Sequence, residues 1–530
     1  MFKMKNTDEY GERTLPIGER EVCAALDILN SYRDAKRRTD ERIFDEREWW
    51  RRRYDIRQAR GRSGVRPVSA WLFNSICNKH ADMCDSIPSS VILPREPSDE
   101  RSAKMLGEVI PVVISRSGFE QIYSDNAWCK LKHGLSAYGV FWNPKRENGL
   151  GDIDIRRIDP VDLFWDISVD DIQDSPAVFL IGCDTEENIR AAFPHFSGRD
   201  AEVKNGKLEV IDMYYKTLLS DGRTILHYMK ICAGELLYAS ENDEAFVDIG
   251  WYEHGKYPIV LDMLFPDDGT AYGFLAVGRN PQSYIDELDG HILEYANWAS
   301  RARYWAKRSL GINENDFLNP DKRIIEVEGD IDEEKLRQIT VAPIDSMLST
   351  VRTMKIDELK ETTGNRDVSQ GSTSGGVTAA SAISALQEAG NKGSRDIIAG
   401  SYRAYVGVIE LVIELIRQFY TGSRIFRICG ENGAYRFVSC DNSSIKKKLL
   451  EDTVGGEVMT RTPAFDIEVK AERLDPLTRH AKNELMLSLF EAGMFDSDKR
   501  TAALTALGGL DFDGIEEVRR FLAEQSRETV

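Results

Sequence analysis

Two adjoining stretches decide the fold. Residues 364–376 read GNRDVSQGSTSGG, and residues 378–420 read TAASAISALQEAGNKGSRDIIAGSYRAYVGVIELVIELIRQFY. The first is polar and rich in Gly and Ser, the composition of a flexible loop. The second opens with small residues and then carries apolar residues at helical spacing. It predicts one long helix with a kink near Gly390–Gly393. Gly393, Gly400 and Gly407 recur every seven residues, which places them nearly in one line along a helix. Each costs about 1 kcal/mol in helix propensity, so close approach of a neighbouring helix is the expected compensation. Glu410, Glu414 and Arg417 interrupt the most apolar run, so it is not read as a membrane span.

Working outward, the loop is preceded by two predicted helices, NPQSYIDELDGHILEYANWASRARYWAKRSLG (280–311) and residues 345–363. They bracket an insert at 312–344, with a strand-like RIIEVEG and a small helix DEEKLRQI. Between 314 and 337 that insert carries nine acidic and four basic residues. Beyond the long helix lie a hairpin over 424–440, a strand over 464–474, and a helical tail opened by Asp475-Pro476. Toward the N-terminus, a long helix is expected over 21–60 and further helices over 68–140. From Tyr138 the period changes to two, and 138–265 reads as a β-rich region. The class is α+β.

The chain has 530 residues and a net charge of −19, from 69 Lys+Arg against 88 Asp+Glu. That balance argues against a simple coat for nucleic acid. From Arg33 to Arg62 the sign reverses, with twelve basic and seven acidic residues. This basic helix with aromatics could touch DNA or a protein shell; the alternative is a solvated, salt-bridged helix at a subunit surface. The eight cysteines form no CxxC and read as mostly buried free thiols. The N-terminus has no signal-peptide pattern, so a soluble cytosolic chain, or part of an assembly made there, is expected. There is no GxxxxGK[ST], HExxH, GxSxG or EF-hand loop, and the seven His do not pair at ligand spacing. Acidic pairs such as Asp152/Asp154 fall in predicted turns. No catalytic residue, cofactor or metal ligand is assigned.

The order of parts is more informative than any motif. In that order, HGLSAYGVFW (133–142), GDIDIRRIDPVDLFWD (151–166), YPIVLDMLFPDDGTAYGFLAVGRNPQSYIDELDGHIL (257–293) and GVTAASAISALQEAGNKGSRDIIAGSYRAYVGVIELVIELI (376–416) resemble the tailed-bacteriophage (or prophage) portal proteins, head-tail connectors, here of siphophage type. The resemblance implies a ring-forming α+β fold with wing, stem, clip and crown. By position the wing is 1–279 plus 378–474, the stem 280–311 and 345–363, and the clip 312–344. The tunnel loop is 364–377 and the crown 475–530. It implies a non-enzymatic homo-oligomer, expected to be a dodecamer, at the portal vertex of the virion, assembled in the host cytoplasm. Double-stranded DNA would pass through its channel in packaging and ejection. Terminase, a head-tail adaptor, the major capsid protein and a candidate scaffold would be partners, with no membrane. Carried onto this chain, tunnel-loop residues Arg366, Asp367, Ser369, Gln370, Ser372, Thr373 and Ser374 would face DNA, Arg366 toward phosphate. Gly393, Gly400 and Gly407 would pack subunits. Arg301, Arg303, Lys307 and Arg308 form a stem basic cluster. Glu326, Glu328, Asp330, Asp332, Glu333 and Glu334 form an acidic clip surface for adaptor or terminase. Two other readings stand beside it: another phage tail or baseplate ring component, and a nucleic-acid-processing enzyme.

Overall fold

The computed structural model describes residues 17–53, 60–61, 64–65, 68–85, 87–198, 203, 206–218, 222, 224–267, 269–300, 304–306, 315, 336–338, 343–364, 392–429, 435–446, 448–449, 460–470 and 476–491. The chain divides into two compact units. The larger comprises Met1–Glu46, Ile76–Ala276 and Thr373–Val530; the smaller comprises Arg47–Ser75 and Val277–Ser372. Helices and strands mix as expected of an α+β chain.

The main helices are α1 (Glu19–Arg53), α2 (Trp71–Cys84), α3 (Glu100–Arg116), α4 (Phe119–His133), α5 (Glu186–Ala192), α6 (Phe274–Ala299), α7 (Ser346–Thr363), α8 (Lys392–Phe419) and α9 (Pro476–Glu491). In the larger unit the period-two region folds as read. The strands Leu163–Trp165, Ala177–Asp184, Leu208–Leu218, Thr224–Cys232 and Glu235–Ala239 form one antiparallel five-stranded meander, each pairing with the next in sequence. Its last turn is a two-residue loop, because Cys232 pairs with Glu235. Ala233 and Gly234 both take positive φ there (49° and 77°), the conformation whose twist matches flanking strands. A second sheet orders Ile259–Met263, Leu135–Asn143 and Asp152–Ile158. The long helix α8 covers it. Val408, Ile409, Val412, Leu415 and Ile416 of α8 are fully buried in one core with Val140, Ile153, Ile155 and Ile259.

Several expectations change. Residues 89–94, expected as the loop between two helices and marked by Pro94 and Pro97, form a strand and pair antiparallel with Phe465–Lys470, Val91 opposite Glu468. A partner more than 370 residues away leaves no local signature. The helix expected over 280–311 starts earlier, at Phe274, and ends at Ala299. Tyr304–Ala306 is a strand paired with Leu336–Gln338. The latter falls inside DEEKLRQI, whose good helix formers are held extended by the cross-strand partner. Cys129, Cys232 and Cys440 are buried, but Cys77 and Cys84 are half-buried and Cys23 and Cys183 exposed, so the thiols are not mostly core.

Nor is the basic helix simply solvated. Its charges are partly turned inward. Lys36, 1% exposed, donates to the Pro160 carbonyl at 2.5 Å, pairs with Asp40 at 2.8 Å and sits over the Phe164 ring. Burial lowers the pKa of Lys36, while Asp40 opposes that shift. Glu46 is buried against His133 at 2.7 Å, and Arg42 donates to the Ala271 carbonyl at 2.6 Å. Within the larger unit these contacts fix α1 to the body, where a buried charge needs its partner.

Candidate functional site

The smaller unit is built from α6, α7 and the first turn of α2. Asp345 caps α7 by accepting from the Met347 amide at 3.0 Å, and Gly364 ends it at φ 63°. Leu359 and Thr363 are buried with Ile356 on one stripe of α7, at helical spacing. On α6, Gly278, Gln282 and Ile285 supply the matching inward stripe. Gly278 makes room for close packing: a Cβ there would lie 2.6 Å from Leu72 Cδ1 and 3.4 Å from Leu359 Cδ1, so Leu72 would have to shift.

Gln282 is completely buried and serves as a cap for a different helix. Its Oε1 accepts from the Leu72 amide at 2.9 Å, satisfying an otherwise orphaned donor at the start of α2. One turn on, Asp286 Oδ1 accepts from the Ser69 amide at 3.0 Å and from its hydroxyl at 2.9 Å. Gln282 Nε2 closes the group on Ser69 Oγ at 2.8 Å. Farther along, Arg352 of α7 grips Asp289 of α6 through two hydrogen bonds, one of them 3.3 Å. The hydrogen bonds to Asp289 raise the guanidinium pKa.

The distal halves of the pair look different. Met347 and Met354, two turns apart on α7, are 66% and 64% exposed; Leu293 on α6 is 50% exposed. Among the described residues these apolar side chains are left half or more exposed. The tunnel-loop set (Arg366, Asp367, Ser369, Gln370, Ser372, Thr373, Ser374), the basic cluster (Arg301, Arg303, Lys307, Arg308) and the acidic set (Glu326, Glu328, Asp330, Asp332, Glu333, Glu334) all lie outside the described residues.

Of the sequence-assigned sites, only the glycine line on α8 can be placed, and it belongs to the larger unit. A Cβ on Gly400 would sit 3.3 Å from Lys130 Nζ, and one on Gly407 would sit 3.2 Å from Val260 Cγ1. Both glycines therefore admit the chain's own α4 and sheet, where a helix of an adjacent subunit was expected. A Cβ on Gly393 would meet nothing within 4 Å among the described residues. The reason for Gly400 is a buried polar group that the sequence did not reveal. Lys130 Nζ donates to Asp262 Oδ1 at 2.5 Å, Ser401 Oγ at 2.8 Å and the Ile397 carbonyl at 3.0 Å. Ser401 in turn donates to Asp262 Oδ2 at 2.6 Å. All three side chains are buried. Gly400 beside Ser401 was the one local hint.

The titratable groups gathered elsewhere are set for structure. His80 Nε2 lies 3.0 Å from Ser124 Oγ and 3.4 Å from Cys84 Sγ. Burial raises the Cys84 thiol pKa and lowers the His80 imidazole pKa, the reverse of what a thiolate–imidazolium nucleophile needs. Among the described residues, no three His, Cys, Asp or Glu gather to hold a metal ion. No described helix is long and apolar enough to cross a membrane.

Residues 267–529, which include α6, α7, α8 and α9, match the model of the phage P22-like portal protein family. No curated protein matches the chain.

Proposed function

We propose that this chain, a member of the phage P22-like portal protein family, assembles as a ring at one capsid vertex and forms the channel through which double-stranded DNA is packaged and ejected. Proteins of this family are structural components of phage, and the reading assigns the chain no enzymatic activity. A dodecamer is the expected assembly. Terminase and a head-tail adaptor would dock on it, and the major capsid protein would surround it.

The observation that carries this reading is the pair α6/α7. Their inner stripes are packed and α7 is capped at both ends, yet Leu293, Met347 and Met354 are half or more exposed among the described residues. Apolar surface left on otherwise ordered helices marks an interaction face. In a ring, the same helices of the neighbouring copy would cover it. The loop after α7 would then hang into the enclosed space, with Arg366 toward phosphate and Asp367, Ser369, Gln370, Ser372, Thr373 and Ser374 making weak, adjustable contacts to a moving duplex. Arg301, Arg303, Lys307 and Arg308 would pair with the acidic set of a neighbour or face the channel. Glu326, Glu328, Asp330, Asp332, Glu333 and Glu334 would meet adaptor or terminase. Gly393 remains as the glycine open to a subunit contact. A net charge of −19 suits a conduit, since an acidic lining repels phosphate and lets DNA slide without sticking.

Electron microscopy of the purified full chain tests the reading. Closed rings with a central hole are the expected result. A monomer that cuts DNA in a metal-dependent way would overturn it.

A further inference from the structure

The described part of the chain begins at a fixed point in the larger unit. Ile17 is 3% exposed and shares a core with Val22, Ala25 and Leu29 of α1 and with Phe179 and Met213 of the meander. Its amide donates to Asn242 Oδ1 at 2.6 Å, and Asn242 Nδ2 donates back to the Ile17 carbonyl at 2.9 Å. One side chain thus satisfies both backbone groups of Ile17, as a strand partner would. Residues 1–16 therefore join the body at Asn242, and nothing so far accounts for them. Five of them, Met1, Phe2, Lys3, Met4 and Lys5, mix three large apolar side chains with two lysines and include no acid.

Asn242 also opens a short acidic turn. Residues 241–249, ENDEAFVDI, hold four acids and no Lys or Arg. The Val247 amide donates to the Asp243 carbonyl at 3.0 Å and the Gly250 amide to the Phe246 carbonyl at 2.8 Å, so the turn is wound helically. Two of its acids are engaged inside the fold: Glu241 accepts from the Tyr215 hydroxyl at 2.9 Å, and Asp243 from the Tyr238 hydroxyl at 3.1 Å. Glu244 and Asp248 are not. Both are exposed, and among the described residues neither carboxylate has an ion-pair or hydrogen-bonding partner. Four residues apart on a helical turn, they share one side, where like charges repel. Ile249, next to Asp248, is 43% exposed. The turn thus presents two uncompensated carboxylates beside an apolar side chain.

We propose that residues 1–5 dock on the 241–249 turn of their own chain, Lys3 and Lys5 against Glu244 and Asp248, with Phe2 and Met4 beside Ile249. The tether selects this occupant before charge does. Eleven residues, 6–16, separate Lys5 from Ile17, a reach of at most about 40 Å. Because Ile17 is fastened to the turn's own Asn242, the segment is held at high effective concentration beside the turn. Charge then completes the fit: two cations meet two carboxylates and remove their mutual repulsion. The contact lies within one chain and holds whether or not copies assemble, so it does not depend on the ring reading.

Zero-length carbodiimide cross-linking of the full chain, read by mass spectrometry, tests the proposal. The expected product joins Lys3 or Lys5 to Glu244 or Asp248 in the denaturing-gel band of single-chain mass, 60.0 kDa. The same product found only in bands of higher mass would place the segment on another copy and overturn the proposal. So would cross-links from Lys3 and Lys5 to other acids alone. Hydrogen exchange supplies a second readout that needs no cross-link. Lys3→Glu with Lys5→Glu should speed exchange of the amides over 243–250 by about threefold or more. Adding Glu244→Lys with Asp248→Lys should restore the wild-type rate, because the charges are then exchanged across the contact. Unchanged exchange in the first variant, or no recovery in the second, would overturn the proposal.

Discussion

The long helix α8 and the helix pair α6/α7 start from similar material and end in different states. Both are amphipathic helices with an apolar stripe, and both carry a glycine at a close side-chain contact. On α8 the stripe is covered inside the chain. Val408, Val412 and Leu415 reach zero exposure, and the polar residue Ser401 is absorbed into a buried group with Lys130 and Asp262. On α6/α7 cover stops halfway: Ile285 and Leu359 are core, but Leu293, Met347 and Met354 are not. The difference teaches where stability should come from. The α8 contacts hold a single chain together, whereas on the proposed ring reading the distal α6/α7 surface would matter when copies meet.

That contrast can be broken at several points. Asp262→Ala strands the buried Lys130 ammonium, so unfolding by urea should show a loss of about 3–5 kcal/mol. Replacing both partners with apolar residues should recover much of it; no recovery would mean that the pair acts through something besides its charge. Leu359→Ala should cost about 2–5 kcal/mol through the cavity it leaves. Hydrogen exchange should speed up in α7 and leave the amides around Lys130 protected. Equal loss in both units would show that the two do not behave separately.

Acid should act on the larger unit first. Burial, helped by Lys256, Arg417 and Lys216, holds His254 at a pKa of about 3, and burial holds His227 at about 4. The ordinary value is 6.5. Between 6.5 and those values the unfolded chain binds protons that the folded chain refuses, so stability is complete above pH 6.5 and falls as pH drops. Each group adds a slope of up to about 1.4 kcal/mol per pH unit in that window. His227→Gln should flatten the denaturation profile there; an unchanged slope would refute the assignment.

Smaller effects separate the helix pair further. Gln282→Ala removes the borrowed cap on α2 and should cost about 1 kcal/mol, visible as faster exchange at the Leu72 amide. Met347→Ser with Met354→Ser should change monomer stability by no more than about 0.5 kcal/mol, because both side chains are mostly exposed. The same variant should fail to make rings. A large drop in monomer stability would show that those methionines belong to the fold and not to the assembly.

Much of this architecture was legible locally. The period-two run after Tyr138 became the strands it predicted, since alternating burial is written into every second residue. The hairpin over 424–440 and the helices around 21–53, 346–363 and 392–419 also followed from pattern and caps. Three things were not legible. The strand over 89–94 exists because 465–470 lies beside it. Tyr304–Ala306 and Leu336–Gln338 are strands through pairing across thirty residues. The glycine line looked like a seam between helices, but a helix wheel shows only that a face is small, not what fills it. Lys130 and Asp262 fill or border that face at Gly400, and Val260 does so at Gly407.

By itself, then, the sequence determined the α+β class, the order of parts, the acidic charge and the likeness to portal proteins, because periodicity, capping and composition act over a few residues at a time. Tertiary structure alone decided which charges of α1 and α4 turn inward, which apolar residues remain bare on α6 and α7, and what Gly400 makes room for. Those outcomes depend on groups brought together from distant positions, where burial and pairing, not local pattern, set the free energy.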